Sequence, residues 1–430
     1  MKDYGVGLLG FGTVGAGVVA GLQERGDLIA ERMEIRPTVR RIADLDLETD
    51  RGVAVDRDIL TTDAMSVVRD EQVQVVVELI GGTSVAKELM EAALRLGKPV
   101  VTANKKLLAE HGDTLFPLAK ANKTAIYFGA SVGGGIPIIR ALKEGLVANR
   151  IDSMYGILNG TCNYILSRME DEGIDFDAVL KDAQAAGYAE ADPALDVDGY
   201  DTAHKAVLLA SLAYGFHVPL RQVAVSGIRG IARQDVEYGL DLGYRIKLLA
   251  VIKRDDSAVE VRVQPAMVPM DHMLASVHGV FNAVMVQGDM TGDTLYYGRG
   301  AGREPTASTV IADIADAMHY MDSGSAGRIP LMPLEVEGLR LKRPGEERTR
   351  HYIRMMLRDQ AGVLAKILGI FGAHGISIAS VLQQEADERD HVPVVILTHE
   401  AQTSRCEEAL SLVAAFDEVR DAPVRICVEE

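Results

Sequence analysis

Over the first 130 residues, short apolar runs alternate with longer stretches whose apolar positions recur every three or four residues. YGVGLLG, TVRRIAD, VQVVVELI, PVVTA and TAIYFGA read as buried strands. FGTVGAGVVAGLQE, SVAKELMEAALRLG and KKLLAEHGDTLFPLAKA read as the helices between them. This alternation predicts a doubly wound parallel sheet of Rossmann type over residues 1–130. From 131 to 327 the pattern changes. Helices over 136–147, 161–171, 176–186 and 200–214 lead into two-residue alternation in VEVRVQPAMV and GVFNAVMVQG. That predicts an α+β domain, with helices on one face of an open mixed sheet. The loop YYGRGAGREP opens a further helix near 305–320, expected to pack back on the first domain. Residues 328–348 carry prolines, glycine and mixed charge and read as a linker. Residues 349–430 follow the order strand, helix, strand, strand, helix, strand, a ferredoxin-like unit.

One helix breaks the pattern of polar outside and apolar inside. From Thr202 to Tyr214 it is apolar almost all round, which marks a buried helix, yet it contains Lys205, with Asp201 one turn earlier. On a surface such an i,i+4 pair contributes ~0.5 kcal/mol or less. Buried, it is costly to keep for structure alone, so it is a candidate acid/base site. Hydride addition to a carbonyl leaves an alkoxide that needs a proton, and a lysine oriented by a carboxylate can give it and take it back. His204 points elsewhere and is read as a packing or surface residue.

The first strand runs into Gly10-Phe-Gly12-Thr13-Val14-Gly15, which opens a helix. The first glycine makes the turn, the second lets backbone approach a pyrophosphate, and the third lets helix and strand pack closely. The N–H groups and dipole of the helix then hold the phosphates of a dinucleotide. Asp44 follows the second strand, 29 residues past Gly15. A carboxylate there accepts a hydrogen bond from a ribose 2′-OH and repels a 2′-phosphate, so it favours NADH. Arg40 and Arg41 just before it can instead reach a phosphate, and a simple loop cap is the third reading. Lys105 sits at the carboxyl end of a strand and in the first turn of a helix, where a cation is unfavourable without an anionic or polar partner.

A second polar cluster lies at GILNGTCNYILSRM. Thr161 is placed to cap the helix that follows, or, with Gly160, to offer N–H and hydroxyl groups to a substrate carboxylate. Cys162 reads as a small buried hydrophobe. GYAEADPALDVDGYD then brings Glu190, Asp192, Asp196, Asp198 and Asp201 within twelve residues. The calcium-loop pattern is absent, so these acids suit helix capping and recognition of a substrate ammonium. The net charge of −17 argues against a nucleic-acid or anionic-membrane partner. The three cysteines, Cys162, Cys406 and Cys427, are too far apart for a disulfide framework or a metal pair. No apolar run reaches the ~18 residues of a membrane span, and the start MKDYGVGLLGFG enters a strand directly, so a cytoplasmic protein is expected.

With GILNGTCNYIL, GYAEADPALDVDGYDTAHK, TANKKLLA and GAGREPTAS in order behind GFGTVG, the chain resembles the homoserine dehydrogenases of bacterial type, with a C-terminal ACT domain. The resemblance covers essentially the whole chain, and it implies that residues 131–327 carry the substrate site and a dimer contact. It implies reversible NAD(P)-dependent reduction of L-aspartate 4-semialdehyde to L-homoserine, in threonine and methionine biosynthesis. It implies Lys205 as proton donor, Asp201 as its substrate-contacting partner, and Glu190 as the acid that holds the ammonium. Gly160, Thr161, Tyr188 and Asp196 correspond to other parts of the substrate pocket, and Lys105, Gly187 and Gly302 to the nicotinamide end of the cofactor. The family also holds a monovalent cation, Na+ or K+, through a glutamate and backbone carbonyls. Here Gly129 occupies the glutamate position, leaving the carbonyls of Val132, Gly134 and Ile136. RDQAGVLAKILGIFGAHGIS resembles the ACT signature, with Asp359 and Gly362 in its loop and Gly375 at its helix end. It implies an amino-acid effector, threonine being the natural one, and a homodimer or homotetramer; the alternative is a unit that only dimerises. Inhibition is then expected to vanish on truncation near residue 345, with activity retained.

Other functions fit parts of the pattern. An aspartate-semialdehyde dehydrogenase needs an activated cysteine, which is not placed here. An amino-acid dehydrogenase using lysine and aspartate would release ammonia. A non-enzymatic sensor of NAD and an amino acid would not need the Asp201/Lys205 pair.

Overall fold

The computed structural model describes residues 2–324, 338–383 and 390–429. The expected linker lies partly outside these residues. The chain divides into two compact units: residues 1–154, 204–220 and 282–338, and residues 155–203, 221–281 and 339–430.

The first unit opens with β1 (Lys2–Leu9), α1 (Thr13–Met33), β2 (Ile35–Ala43), β3 (Leu60–Thr61), α2 (Ala64–Arg69), β4 (Val75–Glu78), α3 (Val85–Arg95), β5 (Val100–Thr102), α4 (Lys105–Ala121) and β6 (Ile126–Tyr127). The strands form one parallel sheet in the order β3-β2-β1-β4-β5-β6. Val75, Val76 and Val77 are fully buried, as a sheet covered on both faces requires. The expected helix over 136–147 is instead one turn, α5 (Ile138–Arg140), running into a π-turn over Ala141–Gly145. Pro137 sits at its N-cap and Gly145 ends the turn, which bounds the helical stretch at both ends. The chain leaves the unit within β7 (Ile151–Ile157) and returns to it within a later helix and the hairpin strands given below.

The second unit holds α6 (Gly160–Glu172), α7 (Phe176–Ala185), α8 (Ala194–Val197) and the start of α9 (Tyr200–Tyr214). It continues with β8 (Ala224–Val225), α10 (Arg233–Asp241), β9 (Tyr244–Arg254) and β10 (Ala258–Pro269). β11 (Phe281–Gly288), β12 (Gly292–Arg299) and α11 (Arg303–Asp322) then belong almost wholly to the first unit. There α11 lies against α1 and adds Ala307, Val310, Ile314 and Met318 to the core around Val6 and Leu8. A Cβ on Gly17 of α1 would come within 2.9 Å of Arg303, so close helix packing requires glycine there.

After β13 (Arg340–Leu341), the second unit finishes with β14 (Arg348–Arg358), α12 (Val363–Ala373), β15 (Ile378–Gln383), β16 (His391–Thr398), β17 (Ala401–Gln402), α13 (Thr403–Val413) and β18 (Val424–Val428). The four longer strands run antiparallel in the order β18-β14-β16-β15, over a core of Ile353, Ile367, Phe371, Ile396 and Val413. This is the ferredoxin-like unit that the pattern predicts.

That unit is not an appendage on a tether. β18 pairs in parallel with β10, aligning Ala266 with Cys427 and Met267 with Val428. Arg262 of β10 is buried and donates to Glu260 (2.7 Å) and to Glu429 at the chain's end. Lys253 donates to the other Glu429 oxygen at 2.7 Å. Burial alone would raise the Glu429 carboxyl, but Arg262 and Lys253 outweigh it and hold it below its ordinary value. A second tie runs from β14: Arg354 grips the buried Asp235 of α10 at 2.6 and 2.9 Å, and the Tyr352 hydroxyl donates to the same carboxylate at 3.0 Å. These ties argue against the expectation that truncation near 345 leaves an intact enzyme. The cut would leave Arg262 without Glu429, Asp235 without two donors, and Ala266 and Met267 of β10 without their β18 partners.

His351 gives the ferredoxin-like sheet an acid limit. It is fully buried on β14, its Nδ1 3.5 Å from Arg425. Burial first, then the Arg425 charge, push its pKa down from 6.5 to about 3. The ring stays neutral in the fold but takes a proton on unfolding, so its contribution is complete above pH 6.5 and is lost as pH falls toward 3. At pH 5 the loss is about 2 kcal/mol, at ~1.4 kcal/mol per pH unit below the unfolded value. His351→Gln is expected to unfold in urea with about that much less acid sensitivity between pH 7 and pH 5. Identical sensitivity in both proteins would show that His351 does not set the limit.

Candidate active site

The phosphate turn has the geometry its glycines imply. Gly10 sits at φ +99 and donates to the Ala43 carbonyl at 2.7 Å. A Cβ on Gly15 would lie 2.2 Å from the Gly10 carbonyl, whereas the space over Gly12 is open. α1 begins at Thr13 with no side-chain cap, so the first N–H groups of the helix remain available to phosphate oxygens, and Val14 follows in its first turn. These features fit a dinucleotide. Asp44, just past β2, accepts from the Phe11 N–H at 2.5 Å and from the Asp46 N–H at 2.9 Å. Its carboxylate is thus pinned beside the turn.

Across the carboxyl ends of β4 and β5, the buried Glu78 accepts from the Thr102 hydroxyl at 2.6 Å and from the Ile80 and Gly81 N–H groups. Burial raises its pKa, partly offset by these donors. Nothing in the local pattern singled out Glu78; its position at the last residue of a strand is the signal that was available. Lys105 is the first residue of α4, half-buried, after Asn104, whose side chain accepts from the Leu107 N–H at 3.1 Å. Gly302 precedes α11 at φ +119, a conformation that requires glycine.

The expected cation loop lies in the same unit. The Gly134 carbonyl already accepts from Thr309 at 2.7 Å, and the Ile136 carbonyl from the Ile138 N–H at 2.8 Å. Val132 is buried beside them. The Gly129 N–H donates to Asp313 at 2.8 Å, and a Cβ at 129 would meet that carboxylate at 3.0 Å. Asp313 therefore occupies space that a side chain at 129 would need. Burial raises its pKa to about 6. Among the described residues, no group of three or more His, Cys, Asp or Glu side chains converges as a metal site.

The substrate-side cluster is organised by Asn159, not Thr161. Asn159 is the N-cap of α6 and accepts from the Cys162 N–H at 2.8 Å. Its amide donates to Asp196 at 2.7 Å and to Asp201 at 2.8 Å, so one side chain holds both carboxylates. The extended backbone at residue 159 makes it the cap; Thr161 already has helical geometry and donates to the Tyr188 carbonyl at 2.8 Å. Tyr188 is half-exposed, its ring 4.9 Å from that of Tyr164. Gly187 precedes it at φ +76. A Cβ on Gly160 would press to 2.8 Å from the Val280 carbonyl. Cys162 is wholly buried, its thiol donating to the Asp196 carbonyl at 3.2 Å.

The remaining acids separate by role. Asp192 accepts from the Ala194 N–H at 3.1 Å, and Asp198 pairs with Arg229. Glu190 is exposed. On α9, Asp201 and Lys205 are both buried, 5% and 9% exposed, in a helix buried along almost its whole length. They stand one turn apart, where side chains meet. His204 is also buried in this helix. A carboxylate in the first turn of α9, fixed by an amide and one turn from a buried lysine, has the components for carbonyl recognition and proton transfer.

Residues 10–129 match the family model described as the NAD-binding domain of homoserine dehydrogenase, residues 137–315 the one described as homoserine dehydrogenase, and residues 351–411 the ACT domain. A homoserine dehydrogenase of Pseudomonas aeruginosa is 43% identical over 436 residues, covering 100% of both chains. One from Neisseria gonorrhoeae is 41% identical, covering 97% of this chain and 96% of the relative. Among solved structures, a homoserine dehydrogenase from Thiobacillus denitrificans superposes with a TM-score of 0.93 at 41% identity, over 100% of this chain and 99% of the other. A hyperthermophilic archaeal homoserine dehydrogenase, solved with NADPH, matches 74% of this chain and 98% of its own at 28% identity and a TM-score of 0.62.

Proposed function

This chain belongs to the homoserine dehydrogenase family, NAD(P)-dependent oxidoreductases acting on a CH–OH group, and we propose that its buried Lys205 supplies the proton when L-aspartate 4-semialdehyde is reduced to L-homoserine. The observation that carries this reading is the lysine itself, 9% exposed in an apolar helix, one turn after a carboxylate that Asn159 holds in place. The bound nicotinamide supplies the hydride. The oxygen of the aldehyde then gains negative charge, and a proton from Lys205 converts it to the hydroxyl. Asp201 orients the ammonium and stabilises its charge. Glu190 and Asp196 are the groups for the substrate ammonium. Gly160, Thr161 and Tyr188 line the place for its carboxylate and backbone. Lys105, Gly187 and Gly302 border the nicotinamide end.

The ACT domain supports an amino-acid effector, for which threonine, the pathway's end product, is our candidate. Its loop carries Gly362 at φ +93 as the N-cap of α12, a helix with no side-chain cap. A paired ACT unit makes a homodimer or homotetramer the assembly to look for. Among the described residues, no helix is long and apolar enough to cross a membrane.

The test is a steady-state assay of the full chain with L-aspartate 4-semialdehyde, offering NADH and NADPH separately, with and without threonine. Homoserine is expected in equal amount to the reduced cofactor consumed, with NADH preferred because Asp44 stands beside the phosphate turn. Asp44→Asn keeps an acceptor for the Phe11 N–H but removes the charge. It should raise the NADPH-to-NADH ratio of kcat/KM by roughly tenfold, the effect of ~1.4 kcal/mol. Asp44→Ser, which also gives up the bond to Phe11, should shift the ratio the same way with a weaker cofactor affinity overall. A wild type that prefers NADPH, or a ratio unmoved by Asp44→Asn, would overturn the cofactor assignment. Consumption of cofactor without homoserine would overturn the reaction.

A further inference from the structure

We propose that a pocket in the second unit, where the β9–β10 hairpin meets the start of the ACT sheet, binds a small soluble phosphorylated anion. The cavity measures about 570 Å³, within the roughly 300–1,000 Å³ usual for small-molecule sites. Five basic side chains and three acidic ones line it. Three of the basic groups are already matched. Lys253 pairs with Glu429 at 2.7 Å, Lys342 with Asp255 at 3.0 Å and Glu260 at 3.7 Å, and Arg340 with Glu346 at 2.7 Å.

Two guanidinium groups are left over. Arg254, at the end of β9, is half-buried, and among the described residues no carboxylate pairs with it. Arg348, which opens β14, meets among the described residues only the Glu400 carbonyl, at 3.3 Å. Every carboxylate in the wall already has a cation, so the pocket carries surplus positive charge. The chain as a whole carries −17. On so acidic a protein, a concave site of the opposite sign gathers small anions that the remaining surface repels. Two arginine forks suit the several oxygens of a phosphate group better than the two of a single carboxylate.

The location gives binding a consequence. Arg254 ends the strand whose Lys253 is tied to Glu429, and Arg348 begins the ACT strand that pairs with β18. A phosphate held by both arginines would add a link across this seam. The site is separate from the phosphate turn at Gly10–Gly15 and from the loop at Asp359–Gly362.

The test is calorimetric titration of inorganic pyrophosphate into the full chain at low salt, with NADH saturating so that the phosphate turn is filled. The expected result is saturable one-to-one binding that weakens at least tenfold in Arg254→Gln/Arg348→Gln and by an intermediate amount in Arg254→Gln. The kcat and thermal midpoint of both variants without pyrophosphate should match the wild type. Absence of saturable binding to the wild type, or undiminished affinity in the double variant, would overturn the proposal. Pyrophosphate binding that appears only when NADH is left out, and is equal in the wild type and the double variant, would assign the phosphate to the cofactor site and overturn the proposal.

Discussion

Replacing Lys205 by Met is expected to lower kcat by roughly a hundredfold to ten-thousandfold, the range that general acid catalysis typically supplies. Methionine matches the length of the lysine stem and suits the apolar surroundings of α9, so the fold should survive. The ammonium would be gone, and the alkoxide formed on hydride transfer would have to find its proton in water. Because the loss falls on the chemical step, kcat and kcat/KM should drop together. Lys105→Met provides the comparison. It stands at the head of α4 in the first unit, at the nicotinamide end in our reading, and its loss should weigh on cofactor KM more than on kcat. A folded Lys205→Met enzyme with near-normal kcat, beside an inactive Lys105→Met, would exchange the two roles.

Deleting the ACT domain from residue 346 onward is expected to destroy the enzyme's stability, not merely its regulation. Arg262 would lose Glu429 and keep only Glu260, and Asp235 would lose both Arg354 and Tyr352. The cut removes these partners together with the β14 and β18 strands that carry them, and whole domains are held by only about 5–15 kcal/mol. Both ties lost at once, with the β10–β18 pairing, are expected to unfold what remains of the second unit. The truncated chain should be insoluble, or melt more than ten degrees below the full chain by roughly the ΔΔG-to-Tm scaling of a domain this size. A truncated enzyme with the full chain's melting temperature and kcat would show that the β10–β18 seam carries no weight. Regulation is better probed in the intact chain, at the loop that bears Asp359 and Gly362.

How much of this was legible in the sequence differs by the range of the interaction. The phosphate turn was readable because a tight turn, a close approach and a helix start all lie within six residues, each demanding glycine. The Asp201/Lys205 pair was readable because one helical turn relates its members. The ferredoxin-like order of 349–430 was readable because each element announces itself by its own period. Strand β9 was harder, since Lys247 sits fully buried in it and donates to the Val277 carbonyl. A buried lysine satisfied from a distant loop looks in sequence like a solvent-facing one. Asn159 was passed over for Thr161 because the two differ by only two positions, and only backbone geometry decides which is the cap. The ties between Arg262 and Glu429, and between Asp235 and Arg354, join residues more than a hundred positions apart. No local pattern reports them, and they turned an expected appendage into part of the enzyme's sheet.

The most direct test of the proton-transfer assignment is the pH dependence of kcat for homoserine oxidation in the wild type and in Lys205→Met. In that direction Lys205 must be neutral to receive the hydroxyl proton, so the wild-type rate should climb about tenfold per pH unit on the acid side, the slope of one ionisation. In Lys205→Met the residual rate should lose that limb and depend on pH only through hydroxide and substrate. A Lys205→Met enzyme that keeps the wild-type limb, at the same position and slope, would show that another group moves the proton.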